Sequence, residues 1–161
     1  HYVLSTIHTI NSIEVITRLR KMGISNYDIA STLATTISQR LVRKVCPHCA
    51  VKRDFKEEEK NIMNSIAEKY GVTLDFNGKQ TYDAIGCEYC NNTGYYDRIA
   101  VFEVLIIDDV IKELITKDAS SIEIRNEALK RGYKPLVIDG LYKILDGKTT
   151  LEELNNKLVI Y

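Results

Sequence analysis

Apolar positions recur along this chain at two spacings, and the switch between them predicts its elements. Tyr2-Val3-Leu4-Ser5-Thr6-Ile7 is β-rich and scarcely alternates, which predicts a buried strand. Val15, Ile16, Leu19 and Met22 then share one helical face, with Ser12 as N-cap and Gly23 as the stop. A second helix opens at Asn26 or Asp28 and carries Ile29, Leu33 and Ile37. Gln39 to Val45 alternates as a strand does. Glu57-Glu58-Glu59 followed by Ile62, Met63, Ile66, Ala67, Tyr70 and Gly71 predicts an acid-started helix that ends at a glycine. Residues 72–86 are irregular or short strands, and Ile99 to Ile107 is a strand.

The remainder reads as helical. Val110, Ile111, Leu114 and Ile115 form a short amphipathic helix. Ser120 and Glu123 make a capping box for the next, which stops near Gly132. Pro135 opens a third, with Leu136, Val137, Gly140, Leu141, Ile144 and Leu145 on one face and Gly147 at its end. Thr150 and Glu153 form another capping box ahead of Leu151, Leu154 and Leu158. Strand, helix, helix, strand, then helices, is an α/β rhythm.

Composition narrows the class. The 161 residues are 45% hydrophobic and 27% charged, which excludes disorder. The longest apolar-rich run, Ile99 to Ile107, carries Glu103 and is far shorter than the about 20 residues of a membrane span. No basic stretch leads into an apolar core at the N-terminus, so no signal peptide is expected, and without an initiator Met the chain reads as a fragment that starts mid-protein. The zero net charge conceals a split: residues 1–53 carry +6 and residues 54–161 carry −6. A basic half suits phosphates, or is simply an unevenly charged surface.

All four cysteines fall in two identical spacings, Cys46-Pro47-His48-Cys49 and Cys87-Glu88-Tyr89-Cys90. Two CxxC turns complete a tetrahedral shell of four sulfurs, and Zn²⁺ suits that shell. Gly94 fits the tight backbone such turns need, and the strands Gln39–Val45 and Ile99–Ile107 are expected side by side at the site. Four cysteine ligands leave no open position for water, so the metal is structural. Three alternatives stand beside this one. Cys46-Pro47-His48-Cys49 has the sequence of a strongly oxidising thioredoxin-like centre, although a second CxxC is present and Cys46 follows a strand. Disulfides need an oxidising compartment. Buried, inert cysteines leave the double spacing unexplained.

His1 and His8 bracket the first predicted strand, and their odd separation places them on opposite faces. His8, where that strand ends, is a candidate ligand contact or a satisfied structural histidine. His48 is expected to be exposed and inert. Gly147-Lys148-Thr149 looks like the end of a phosphate loop, but Tyr142 stands where the motif needs glycine and a helix precedes it. The chain alone is therefore not expected to bind ATP productively. No serine or cysteine hydrolase constellation can be assembled.

His1-Tyr2-Val3-Leu4-Ser5-Thr6-Ile7-His8-Thr9 resembles the histidine box of the secretion ATPases that drive type II secretion and type IV pilus assembly. Ile16 to Gly23, Ala30 to Leu33, and Gln39-Arg40-Leu41-Val42-Arg43 leading into the first CxxC continue the resemblance. So do Gly86-Cys87 through Thr93-Gly94-Tyr95 with Arg98, Asp139-Gly140, and Thr149 to Glu153. The resemblance implies a hexameric cytoplasmic motor with a RecA-like P-loop core, peripheral to the inner face of the cell membrane. Its partners are neighbouring subunits of a homohexamer and an inner-membrane platform protein, and its cofactors are ATP with Mg²⁺. It maps His1 and His8 onto the histidines near the γ-phosphate in the intact enzyme. Cys46, Cys49, Cys87 and Cys90 map onto four zinc ligands. The Walker A and Walker B elements of that family precede the histidine box and are absent here, so this piece is not expected to hydrolyse ATP.

The expected organisation is the C-terminal end of the RecA-like core in residues 1–45, a tetracysteine zinc subdomain in 46–97, and the last core strand with a helical subdomain in 98–161. Ile10 and Asn11 depart from the family pattern, and Asp97 stands where glycine is expected, which predicts an altered turn. The competing reading is a zinc-ribbon nucleic-acid module with the +6 segment as its footprint. Three consecutive glutamates between the knuckles and few aromatics among the basic residues make nucleic acid an unexpected partner.

Overall fold

The computed structural model describes residues 1–158. Its elements run α1 (Glu14–Lys21), α2 (Asn26–Thr32), β1 (Thr35–Val45), β2 (Ala50–Arg53), α3 (Glu57–Glu68) and β3 (Thr81–Ala84). After a 3₁₀ turn at Glu88–Cys90 come β4 (Tyr95–Ile106), α4 (Asp109–Thr116), α5 (Ser121–Lys130), α6 (Leu136–Leu145) and α7 (Leu151–Lys157). The expected α/β class is observed. Among the described residues no helix is long and apolar enough to cross a membrane.

The chain forms two compact units, one from His1–Ser38 and Glu103–Tyr133, the other from Gln39–Phe102 and the chain from Lys134 onward. Long strands β1 and β4 pair with each other, and each contributes to both units. Ile107 N–H donates to the Ala34 carbonyl at the start of β1, and Cys46 N–H donates to the Gly94 carbonyl at its end. The pairing is therefore antiparallel.

In the first unit, α1, α2, α4 and α5 enclose a core of Ile13, Ile16, Ile29, Leu105, Ile107, Ile111, Ile115, Ile124 and Ala128. Helix ends follow local chemistry. Gly23, at φ +86°, ends α1, with Ile24 N–H donating back to the Leu19 carbonyl. Asp108 caps α4, and Ser120 and Glu123 form the expected reciprocal box on α5. Arg20 reaches across to the Ile115 and Ala119 carbonyls at the end of α4.

In the second unit, α3, α6 and α7 enclose Val42, Phe55, Met63, Ile66, Leu74, Val101, Ile138, Leu141, Ile144 and Leu154. Gly140 lets α6 approach α7: a Cβ there would lie 2.3 Å from Leu154 Cδ1. Strands β2 and β3 pair antiparallel, with Ala50 opposite Ala84 and Arg53 opposite Thr81. Arg53 donates to both carboxylate oxygens of Glu59, at 2.7 and 2.8 Å, and to Asp83 at 2.7 Å. It thereby ties α3 to this small sheet. The hydrogen bond from Arg53 holds the Glu59 carboxyl below its ordinary range, against the opposing effect of burial. A depressed carboxylate stabilises the fold above its unfolded pKa of about 4.3 and stops doing so as pH falls through the folded value. Glu59→Gln will therefore lower the urea midpoint at pH 7, and its deficit against the parent will shrink on acidification below about pH 4. A deficit that is unchanged from pH 7 to pH 3 would contradict this assignment.

Three expectations about elements are corrected. Residues 2–7 form no strand, and Tyr2, Val3 and Leu4 lie in solvent. Among the described residues no segment supplies a hydrogen-bonding ladder to them, and β propensity alone does not hold a strand. Ser12 does not cap α1. Asn11 Oδ1 accepts from the N–H groups of Ile13 and Glu14 instead, while Ser12 is fully buried. Ile37 belongs to β1, not to α2, which Ser25 caps and which ends at Thr32.

Candidate metal centre

Strand β1 delivers Cys46 with its amide already committed to the Gly94 carbonyl at 2.9 Å. Ala50 N–H closes the first turn onto the Cys46 carbonyl at 3.1 Å and starts β2. The second turn follows β3 and relies on left-handed backbone at Gly86, Asn91, Asn92 and Gly94. Asn92 N–H closes it onto the Cys87 carbonyl at 2.8 Å. Gly94 is required twice over. Its φ is +75°, and a Cβ would stand 2.6 Å from the backbone carbon and oxygen of Ala84. Gly94→Ala will lower stability by about 2 kcal/mol or more, read as a fall in the urea midpoint with loss of bound metal. An unchanged midpoint would show that the close approach is not needed.

The turns bring all four sulfurs within 4.8 Å of one another. Cys46 Sγ lies 3.9 Å from Cys87 Sγ, and Cys90 Sγ lies 3.8 Å from both Cys49 Sγ and Cys87 Sγ. Four sulfurs each about 2.3 Å from a central ion stand about 3.8 Å apart along the edges of a tetrahedron. A disulfide needs about 2.05 Å, so these distances suit a shared ion and not cystines. All four thiols are free. Backbone N–H groups already aim at the sulfurs: Gly86 at Cys49, and Cys87 and Gly94 at Cys90, at 3.2 to 3.3 Å. Burial opposes ionisation of Cys90, but the two N–H donors and the neighbouring thiols outweigh it and bring its pKa down to about 6. Burial pushes the Cys49 thiol up to about 12. The donor set fits a four-coordinate structural metal.

A second layer holds the first turn from the C-terminal side. Arg43, three residues before Cys46, is gripped by Glu153 of α7. Its backbone N–H donates to Oε1 at 2.9 Å, Nε–H donates to Oε2 at 2.8 Å, and Nη2 lies 2.6 Å from Oε2. Glu153 is fully buried. The hydrogen bond with Glu153 raises the Arg43 pKa above its ordinary value despite partial desolvation. The guanidinium also lies 4.2 Å over the Tyr95 ring, and Tyr95 and Thr150 hydroxyls are hydrogen-bonded at 2.8 Å. Thr150 caps α7, but the expected return contact from Glu153 is diverted to Arg43. The phosphate-loop look-alike has a structural job here: Lys148 carbonyl accepts from Val45 N–H and Thr149 Oγ1 donates to the Arg43 carbonyl.

His48 is exposed, as expected, and stacks on Tyr89 at 4.0 Å, with Tyr96 beyond it at 4.4 Å. Asp97 takes φ +68°, a conformation that glycine adopts without strain, and its carboxylate is ion-paired with Lys44 at 3.4 Å. Asn11, another of the three departures, makes the polar contact that caps α1. His1 and His8 are exposed on the irregular first segment, and among the described residues neither joins a cluster of metal-ligating side chains. With no strand there, the opposite-face expectation for them lapses. The roles missed in the sequence are those of Arg43, Glu153 and the buried Glu103; Glu153 signalled only a helix cap, and Glu103 stood out as the lone acid in an apolar run.

Comparison with known proteins places this arrangement. The model of the Type II/IV secretion system protein family matches residues 1–156. The chain is 42% identical over 155 residues to the Type IV pilus assembly ATPase PilB of Thermus thermophilus, covering 96% of this chain and 17% of that protein. It is 37% identical over 154 residues to the Type IV pilus assembly ATPase TfpB of Acinetobacter baylyi, covering 96% and 25%. It is 39% identical over 155 residues to the Type II secretion system protein E of Aeromonas hydrophila, covering 96% and 29%. The chain thus spans between about a sixth and three tenths of the length of these relatives. By the family match over nearly all of its length, this chain belongs to the Type II/IV secretion system protein family.

Proposed function

We propose that this chain is the C-terminal part of a hexameric cytoplasmic ATPase that powers type IV pilus assembly or type II protein secretion at the inner face of the membrane. The observation that carries the reading is unbroken similarity over 96% of the chain to ATPases named for both systems. Residues 1–45 are the end of a RecA-like core, 46–97 the zinc subdomain, and 98–161 the last core strand and helical subdomain, whose final three residues lie outside those described. Cys46, Cys49, Cys87 and Cys90 would hold one Zn²⁺, whose bound charge offsets the sulfurs and cross-links the two turns. The chain's own residues then fix the turns: Gly94 by close packing, Glu153 by holding Arg43.

His8 senses the γ-phosphate of an ATP–Mg²⁺ held by other parts of the protein, with His1 nearby. Hydrolysis turns one subunit against the next and moves a platform protein in the membrane. The 161 residues alone do not hydrolyse ATP. The nucleic-acid reading loses weight because Arg20, Arg43, Lys44 and Arg53, half of the basic side chains in residues 1–53, are committed to internal partners. The test is ATP turnover by the full-length protein that contains this chain. Turnover that is lost on His8→Ala, together with an inactive 161-residue chain, is the expected result. A full-length protein without turnover, or one that binds DNA or RNA in a salt-dependent way in its place, would overturn the reading.

A further inference from the structure

Alternation along β4 sends Glu103 inward beside Leu105, and Glu103 is only 4% exposed. A buried carboxylate is tolerated where strong donors meet it. Ser12 supplies one: its backbone N–H donates to Glu103 Oε1 at 2.6 Å. Ser12 is itself fully buried, with every polar group used. Its hydroxyl is hydrogen-bonded to Tyr133 OH at 3.0 Å, and its carbonyl accepts from Thr36 Oγ1 at 2.8 Å. Burial first, and the Glu103 charge after it, push the Tyr133 hydroxyl well above its ordinary pKa, so it stays protonated and able to donate. Next to this node, Asn11 Oδ1 caps α1 and Thr9 Oγ1 donates to the Asn11 carbonyl at 3.0 Å. The exposed segment that carries His8 is thus rooted at one residue, held from β1, from β4 and from the turn after α5.

We propose that Glu103 is a positioning residue for His8, acting through the buried amide of Ser12. The inference rests on the reading of His8 as the γ-phosphate sensor. His8 lies four positions before Ser12, a reach of at most about 14 Å, so the root defines the volume that the imidazole can search. Without the Glu103 oxygen, the Ser12 N–H is buried and unpaired, and residues 9–13 relax toward water to satisfy it. His8 then loses its fixed origin while the rest of the fold keeps its core. A displaced sensor lowers turnover more than nucleotide affinity, because ATP is gripped elsewhere.

The experiment combines amide hydrogen exchange on this chain with steady-state ATPase kinetics on the full-length protein. Glu103→Met removes the acceptor at similar volume, and Glu103→Gln keeps a carbonyl oxygen in its place. With Glu103→Met, exchange at Ser12 and Ile13 should rise about tenfold or more over any change in α4, kcat should fall about tenfold, and KM for ATP should stay within about twofold. Glu103→Gln should recover kcat to within about threefold of the parent. If Glu103→Met folds and exchange rises uniformly, or if kcat is unchanged in the folded variant, the positioning role is overturned. Should Glu103→Met fail to fold, Glu103→Gln decides the matter by the same exchange comparison: selective protection retained at Ser12 supports the role, and loss of it overturns it. A parent-like kcat in His8→Ala marks the distinct failure of the sensor reading, and the positioning role falls with it.

Discussion

Replacing Cys87 with serine, or removing the metal with a chelator, will lower the melting temperature of this chain by about 10 °C or more, since structural zinc contributes several kcal/mol and each costs about 2–4 °C at this chain length. The reason is local. The second turn strings together left-handed backbone at Gly86, Asn91, Asn92 and Gly94, and none of residues 86–94 belongs to either hydrophobic core. An ion shared by the four sulfurs would order it, with the Gly86, Cys87 and Gly94 amides aimed at those sulfurs. Serine is too weak a ligand to complete that shell. His48→Ala removes a neighbour that is exposed and no part of the sulfur cluster, and should shift the melting point by no more than about 2 °C. Differential scanning calorimetry with and without chelator checks both. A Cys87→Ser protein that melts with the parent, with the same response to chelator, would remove the metal from the account.

The second large effect belongs to Glu153. Glu153→Ala deletes a fully buried carboxylate that three donors of Arg43 address. The Arg43 amide loses its acceptor, and its half-exposed guanidinium recovers only part of its hydration. The cost is about 2–4 kcal/mol, or about 5–12 °C in melting temperature. Arg43→Met alone leaves the Glu153 charge buried and is expected to cost about as much, while the double variant costs less than the sum of the two. Strict additivity in that cycle would show that the two side chains do not act as a pair. Because Arg43 is three residues from Cys46, the single variants should also release metal faster to a competing chelator.

How much of this was legible in the sequence depends on how local each signal is. The clustering of the four sulfurs was readable, since each CxxC turn defines its own geometry, and strands β1 and β4 pair as expected. Helix stops at Gly23, Gly71 and Gly147 were readable for the same reason, each taking a positive φ. The expected strand at residues 2–7 failed because pairing is a tertiary property that β-rich composition does not supply. Ser12 looks like a cap by residue type, yet Asn11 takes that role and Ser12 is drawn inward by Glu103 and Thr36 from remote strands. Glu153 matched a capping box but was recruited by Arg43, 110 positions away. Glu103 could have been caught by its register with Val101 and Leu105, both buried. A lone acid on the inward face of a strand asks for a partner, though sequence does not say which.

Cys46, Cys49, Cys87 and Cys90 are proposed to hold a single zinc ion between two turns fixed by their own amides. Zinc K-edge X-ray absorption on the protein as purified, with metal content measured on the same sample, tests it most directly. The account predicts one zinc per chain and a shell of four sulfurs at about 2.3 Å. A sample with no zinc and two disulfides, or a shell containing nitrogen or oxygen, would contradict it.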